Sequence, residues 1–114
     1  MDIEWKFNTL KQGMRLLDFD LAELTPGYVW WIEGNLKELR LNMNLWSKYS
    51  RQAPAYDVPE LGILLGDYQV VKRLYEWILI YKNEVVPLKS YDKSLDEAYV
   101  RCEAYIYLKE EGKL

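Results

Sequence analysis

Few residues of this 114-residue chain could perform catalysis, because the chain contains no histidine. Histidine is the commonest general base and the commonest metal ligand, so both roles would fall to other side chains. Cys102, the one cysteine, would need a neighbouring base to form a nucleophilic thiolate. It lies on the apolar stripe of a predicted helix, where a free cysteine behaves as a small apolar side chain. We therefore expect Cys102 to be a core residue and the protein not to be an enzyme.

Carboxylates are densest at Asp18, Asp20 and Glu23, in the connection between two predicted helices. Three oxygens on one loop could hold calcium weakly, but the segment lacks the glycine and the distal glutamate of a known calcium loop. Negative charge ahead of a helix amino terminus is also favoured by the helix dipole, and we adopt this interpretation. Gly62 and Gly66 match neither a dinucleotide fingerprint nor a P-loop. The sequence therefore predicts no metal and no cofactor.

Basic residues at helical spacing offer a different kind of site, one for nucleic acid. In the predicted second helix these residues are Lys37, Arg40, Lys48 and Arg51. Glu33 and Glu38 share that segment, and the whole chain has a formal net charge of -3. A nucleic-acid interface usually shows a contiguous basic face with few acids in it. A nucleic-acid-binding regulator is therefore an alternative that requires these four residues to form an exposed patch.

Aromatic residues are unusually frequent, with five tryptophans and ten tyrosines. When the second helix is wound at about 100° per residue, one group of large side chains gathers opposite its core stripe. The group consists of Trp30, Trp31, Leu41, Leu45 and Tyr49. Tryptophan and tyrosine dominate binding hot spots because each buries a large area while losing few rotamers. We predict that these five residues bind a protein partner or a second copy of the chain. A small-molecule cavity among the aromatic side chains is a second alternative.

The elements that position these side chains are predicted to be helices. Apolar residues recur every three or four positions in four segments, namely 3–18, 26–50, 60–82 with a break near 66, and 94–111. Thr25 and Pro26 suit the start of the second helix, and Ser94 and Glu97 have the spacing of a capping box. Gly13 is expected to cost about 1 kcal/mol relative to alanine in the first helix. The sequence therefore predicts an all-α fold, a single domain over residues 1–114 built as a bundle of about four helices.

The predicted compartment is the cytoplasm. No apolar run approaches the roughly 20 residues of a membrane-spanning helix, and the amino terminus carries acid where a signal peptide carries base. A single cysteine cannot form an internal disulfide. We expect a small non-catalytic protein–protein interaction module that acts without a membrane. Such a protein could be an adaptor, an assembly subunit or an inhibitor, of the kind that phages and mobile elements encode.

Overall fold

The computed structural model describes residues 3–19, 24–43, 50–86 and 91–114. Within these ranges the chain forms three α-helices and seven β-strands in two antiparallel sheets. The predicted all-α bundle is therefore wrong, and the fold is mixed α/β. The helices are α1 (Leu10–Leu16), α2 (Val58–Leu65) and α3 (Glu97–Glu110), and a 3-10 turn, Glu4–Lys6, precedes α1. The strands are β1 (Tyr28–Glu33), β2 (Leu36–Leu41), β3 (Arg51–Ala55), β4 (Tyr68–Lys72), β5 (Glu76–Tyr81), β6 (Glu84–Val85) and β7 (Tyr91–Asp92).

The first sheet replaces the helix predicted over 26–50 in the part of that segment that the structure describes, residues 26–43 and 50. Its order is β2-β1-β3, and β1 pairs antiparallel with both neighbours. The run from Val29 to Ile32 consists of β-branched and aromatic residues, which fit a pleated and packed surface well. Gly34, with a φ of 58°, opens a two-residue turn between the paired residues Glu33 and Leu36. This turn reverses the chain direction after the six residues of β1, so a single helix cannot run through this segment.

The second sheet replaces most of the helix predicted over 60–82. Strand β5 is central, with β4 on one side and both β6 and β7 on the other. Helix α2 ends at Gly66, whose φ of 61° favours glycine, so the chain leaves the helix before β4 begins. Lys82 and Asn83 both have positive φ and form the tight turn between β5 and β6.

The first and last helices lie inside segments predicted to be helical, but their starts differ from expectation. Helix α1 begins after Thr9, whose hydroxyl accepts from the Gln12 backbone amide in a complete capping box. Helix α3 begins at Glu97, and the side chain of its N-cap residue Asp96 makes no capping hydrogen bond. The predicted capping box between Ser94 and Glu97 is therefore wrong. Ser94 instead donates its backbone amide to the Asp92 carboxylate, in the turn before the helix.

The buried side chains form two clusters. The larger one lies where α2 and α3 pack together and against the inner side of the second sheet, and it includes Leu61, Val70 and Leu79. Cys102 belongs to this cluster and is fully buried, which confirms its prediction as a core residue. The smaller cluster, Phe7, Trp30, Ala53 and Ala55, joins the segment before α1 to the first sheet.

Buried amide side chains hold α1 between the first sheet and α3. The Asn8 side chain donates to the Pro54 carbonyl at 3.0 Å and accepts from the Tyr56 backbone amide at 2.7 Å. The Gln12 side chain donates to the Tyr99 carbonyl at 2.9 Å. Because buried polar groups are costly unless they are paired, these bonds fix the position of α1.

Candidate functional site

The predicted partner-binding residues do not share one face, because Trp30 and Trp31 are neighbours on strand β1. Successive side chains of a strand point to opposite faces of its sheet. Trp30 is buried in the smaller cluster, and its indole N–H donates to the Asn8 carbonyl at 2.9 Å. Trp31 is buried on the other face and donates to the Glu33 carboxylate at 3.1 Å. The helix face that was expected to unite them is therefore absent.

The remaining predicted partner residues are only partly described. Leu41 is 59% exposed at the end of β2, and with Trp31 it lines a cavity of about 330 Å³. Leu45 and Tyr49 lie outside the described residues. In the register Leu41 lies opposite Tyr28, on the Trp30 side of the sheet, although it lines this cavity with Trp31. The structure therefore does not unite Trp30, Trp31 and Leu41 on one face. A partner-binding role for these residues stays a prediction.

The predicted nucleic-acid residues are divided between the two faces of the first sheet. Arg40 lies over the Trp31 ring, 4.6 Å from its centroid, and pairs with Glu38. Lys37 and Arg51 both lie opposite Ile32 in the register, so they share the other face. Lys48 lies outside the described residues. The three described basic residues therefore form no single patch.

A surface that the sequence analysis did not identify lies on the second sheet. The side that faces α2 and α3 carries Val70, Trp77 and Leu79. The opposite side carries Val71, Ile78, Ile80 and Val85, which we call the outer face. Val71 lies opposite Ile78, and Ile80 lies opposite Val85, so the four side chains adjoin one another. All four are partly or largely exposed, and none packs against either buried cluster.

Polar residues border the outer face. Gln69 lies opposite Ile80, and Glu76 lies opposite Asp92 in the register. Arg73 is bonded through its backbone amide to the Glu76 carbonyl, at the turn between β4 and β5. At the tip of this turn Leu74 and Tyr75 are 68% and 79% exposed. An apolar centre with a polar rim is the usual anatomy of a protein interface.

A second surface feature is a cleft of about 600 Å³ between the 3-10 turn, β2 and the start of α3. Its lining includes the aromatic residues Trp5, Phe7, Trp30 and Tyr99 and the charged residues Glu4, Lys37 and Asp96. We call it the Trp5 cleft. Trp5 is 58% exposed and also lines a neighbouring cavity of about 270 Å³, so it forms a ridge between the two.

Ionisable groups gather on α3 next to α1. Arg15 pairs with Glu103 at 2.9 Å and with Glu110 at 3.3 Å. Burial, followed by the nearby Glu103 carboxylate, raises the pKa of Tyr91 to about 12 and also raises the pKa of Tyr99. The same two causes raise the pKa of the Cys102 thiol well above its usual range. A thiol held in its protonated form is a poor nucleophile, so Cys102 is unsuited to covalent catalysis here.

Within the described ranges, no group of three or more histidine, cysteine, aspartate or glutamate side chains is arranged to hold a metal ion. Asp20 and Glu23, two of the three acidic residues considered above for calcium, fall outside those ranges. The helices of the same ranges are too short or too polar to cross a membrane.

Comparison with known proteins gives no further guide. No protein-family model, no curated protein sequence and no solved structure matches this chain. Residue roles therefore cannot be transferred from a relative. The outer face and the Trp5 cleft are candidate binding surfaces on the described part of the chain.

Proposed function

We propose that this protein is a non-catalytic protein–protein interaction module that binds through the outer face of its second sheet. The observation that carries the proposal is the group of four β-branched apolar side chains on that face. An antiparallel sheet with one solvated face normally carries polar residues there. Removing exposed apolar surface from water contributes about 25 cal/mol per Å², so covering adjoining valine and isoleucine side chains favours association. Contiguous exposed apolar surface of this kind marks interaction sites.

A second copy of the chain is the partner that the face suits best. A two-fold symmetric dimer uses the same patch on both subunits, so the patch must be complementary to itself. Flat faces of β-branched residues meet this need, since two sheets pack face to face with their side chains interdigitated. The rim carries both positive and negative charge, with Arg73 beside Glu76 and Asp92. In a symmetric dimer, opposite charges of the two subunits can therefore lie next to each other.

The biological class and the compartment belong to the same proposal. An adaptor, an assembly subunit and an inhibitor all act by covering a surface, and the outer face would serve each of them. We propose the reducing cytoplasm as its compartment. The buried free thiol of Cys102 supports this choice, because a protein of an oxidising compartment commonly pairs its cysteines.

The experiment compares two substitutions of the same chemistry. Ile78→Glu places a charge in the centre of the outer face, whereas Ile63→Glu places it on α2, where the isoleucine is already 67% exposed. Sedimentation equilibrium up to about 1 mM protein should show a dimer for the wild type and for Ile63→Glu, and a monomer for Ile78→Glu. Circular dichroism establishes that each variant is folded. If Ile78→Glu does not fold, Val85→Glu serves in its place, because Val85 is 56% exposed.

Two results would contradict this proposal in different ways. A wild type that stays monomeric over the whole range excludes the second copy as partner. Affinity capture from host lysate then tests for a different partner, with each variant as bait. A partner of the outer face must bind to Ile63→Glu and must not bind to Ile78→Glu. If both variants bind it equally, the outer face is not the interface. Captured material that disappears on nuclease treatment would favour nucleic-acid binding instead.

A further inference from the structure

The Trp5 cleft has the size and the apolar lining of a small-ligand site. Its volume of about 600 Å³ falls within the range of clefts that bind small molecules. Phe7 and Trp30 are buried beneath it, 7% and 6% exposed, and form its apolar floor. The Trp30 indole is fixed by its hydrogen bond to Asn8, and the Phe7 ring contacts Tyr28 with centroids 4.9 Å apart. The floor is thus rigid before any ligand arrives, which lowers the entropy cost of binding.

Three ionic residues line the same cleft, and one of them, Glu4, already takes part in an interaction within the protein. The other two, Lys37 and Asp96, have opposite signs. Lys37 comes from β2, and Asp96 comes from the segment that precedes α3. Among the described residues neither side chain forms an ion pair or a hydrogen bond, and Asp96 does not cap its helix. Both groups are therefore available to a ligand. A cleft with both signs suits a ligand that carries an ammonium and a carboxylate, and it does not suit a polyanion such as nucleic acid.

The placement of Lys37 and Asp96 on different elements favours a ligand whose two charges are not adjacent. In a free amino acid the two charges are adjacent, whereas Lys37 and Asp96 belong to different elements around an aromatic floor. An extended peptide advances about 3.3 Å per residue, so a peptide of two or three residues is the shortest peptide whose ammonium and carboxylate are set apart. Beyond the Trp5 ridge, the neighbouring cavity offers space for an apolar side chain against Val58, Pro59 and Ala98. Its lining also includes Lys6, Asp57 and Glu97.

We propose that the Trp5 cleft binds a zwitterionic peptide of two or three residues that carries an apolar or aromatic side chain. The ammonium group lies at Asp96, the carboxylate lies at Lys37, and the side chain packs on the tryptophan rings. This site is separate from the outer face, so the two proposals can fail independently.

A titration followed by two-dimensional NMR tests the site with the dipeptide leucyl-phenylalanine. The backbone signals of the cleft and the indole N–H signal of Trp5 should shift, and Trp5→Leu should abolish the binding. Acetylation of the peptide amine or amidation of its carboxylate should each weaken binding about three- to five-fold, as expected for exposed ion pairs. Asp96→Asn should weaken binding of the free peptide by the same factor as acetylation does, and it should leave binding of the acetylated peptide unchanged. Lys37→Gln should likewise weaken binding of the free peptide and leave binding of the amidated peptide unchanged.

The controls are matched in charge and lie outside the cleft. Asp67→Asn and Lys113→Gln change the same charges at exposed positions that do not line it, and they should leave the affinity unchanged. The proposal is overturned if the dipeptide shifts no cleft signal at about 10 mM. It is also overturned if the doubly capped peptide binds as well as the free one, which would indicate an internal protein segment as ligand.

Discussion

At the scale of single residues, Gly13 lies where α1 approaches β3 most closely. A Cβ atom at this position would lie 2.7 Å from the Pro54 carbonyl oxygen and 3.2 Å from the Ala53 Cβ. Because a backbone oxygen cannot yield as a flexible side chain does, we expect Gly13→Ala to lower the free energy of unfolding by about 1–3 kcal/mol. The sequence alone predicts that Gly13→Ala raises the free energy of unfolding, since alanine is the better helix former. Urea denaturation measures the difference.

Gly62 is the matched control for Gly13. It also lies inside a helix, α2, but a Cβ there would have no atom within 4 Å. Gly62→Ala should therefore raise the free energy of unfolding by about 0.5–1 kcal/mol, since alanine reduces the entropy of the unfolded chain. A gain in stability from both substitutions would show that α1 does not pack against β3 as closely as described.

At the scale of elements, helix α2 depends on its N-cap more than α3 does. The Asp57 carboxylate accepts from the Glu60 backbone amide at 2.9 Å, and the Glu60 side chain accepts in return from the Asp57 amide at 3.1 Å. Asp57→Ala should lower the free energy of unfolding by about 1 kcal/mol, the usual value of such a cap. Asp96→Ala is the matched control, because Asp96 makes no capping bond and should cost less than about 0.5 kcal/mol. Equal losses in thermal or urea denaturation would rule out this difference between the two caps.

The apolar spacing predicts helices where strands form, because both sheets contain strands that are apolar on both faces. In β1 the consecutive residues Val29, Trp30 and Trp31 are all buried, so the polar alternation that identifies a half-buried strand is missing. A continuous apolar run also satisfies a spacing of three and four, and periodicity alone cannot separate the two structures. The turn at Gly34 and Asn35 was a local signal that could have decided the matter, since this pair is common in tight hairpins.

The two candidate surfaces differ in how far a sequence can reveal them. The outer face follows from Val71, Ile78 and Ile80 as soon as these segments are recognised as strands, because alternation then places them opposite the core. The Trp5 cleft could not be predicted in this way. Its lining runs from Glu4 through Lys37 to Tyr99, and only the tertiary packing of the 3-10 turn against the first sheet and α3 assembles it.

At the scale of the whole molecule, α3 joins the parts of the fold, and groups whose ionisation should lower stability at alkaline pH lie on it or beside it. It packs on α2 in the larger cluster, and it binds α1 through the pair between Arg15 and Glu103. Tyr99 and Cys102 belong to α3, and Tyr91 lies close enough for the Glu103 charge to act on its phenol. Ionising any of these three groups would place negative charge in a partly or fully buried position. Global stability should therefore depend on their remaining protonated.

Tyr91 provides the test of this dependence. A tyrosine in an unfolded chain ionises near pH 10, whereas burial and Glu103 raise the pKa of Tyr91 in the folded protein to about 12. Between these values the unfolded chain releases a proton that the folded protein retains, so unfolding becomes more favourable as the pH rises. The stabilising contribution of Tyr91 is thus fully present below about pH 10 and is lost as the pH rises towards 12.

The pH dependence is measured by urea denaturation from about pH 8 to pH 11.5 for the wild type and two variants. Tyr91→Phe keeps the ring and removes the ionising hydroxyl, so its stability should fall less steeply above pH 10 than that of the wild type. Tyr75→Phe makes the same change at a side chain that is 79% exposed and should leave the slope unchanged. Tyr99 and Cys102 should contribute to the decline that remains in Tyr91→Phe, because burial raises their pKa values too. If both variants decline as steeply as the wild type, the Tyr91 phenol is not buried beside Glu103.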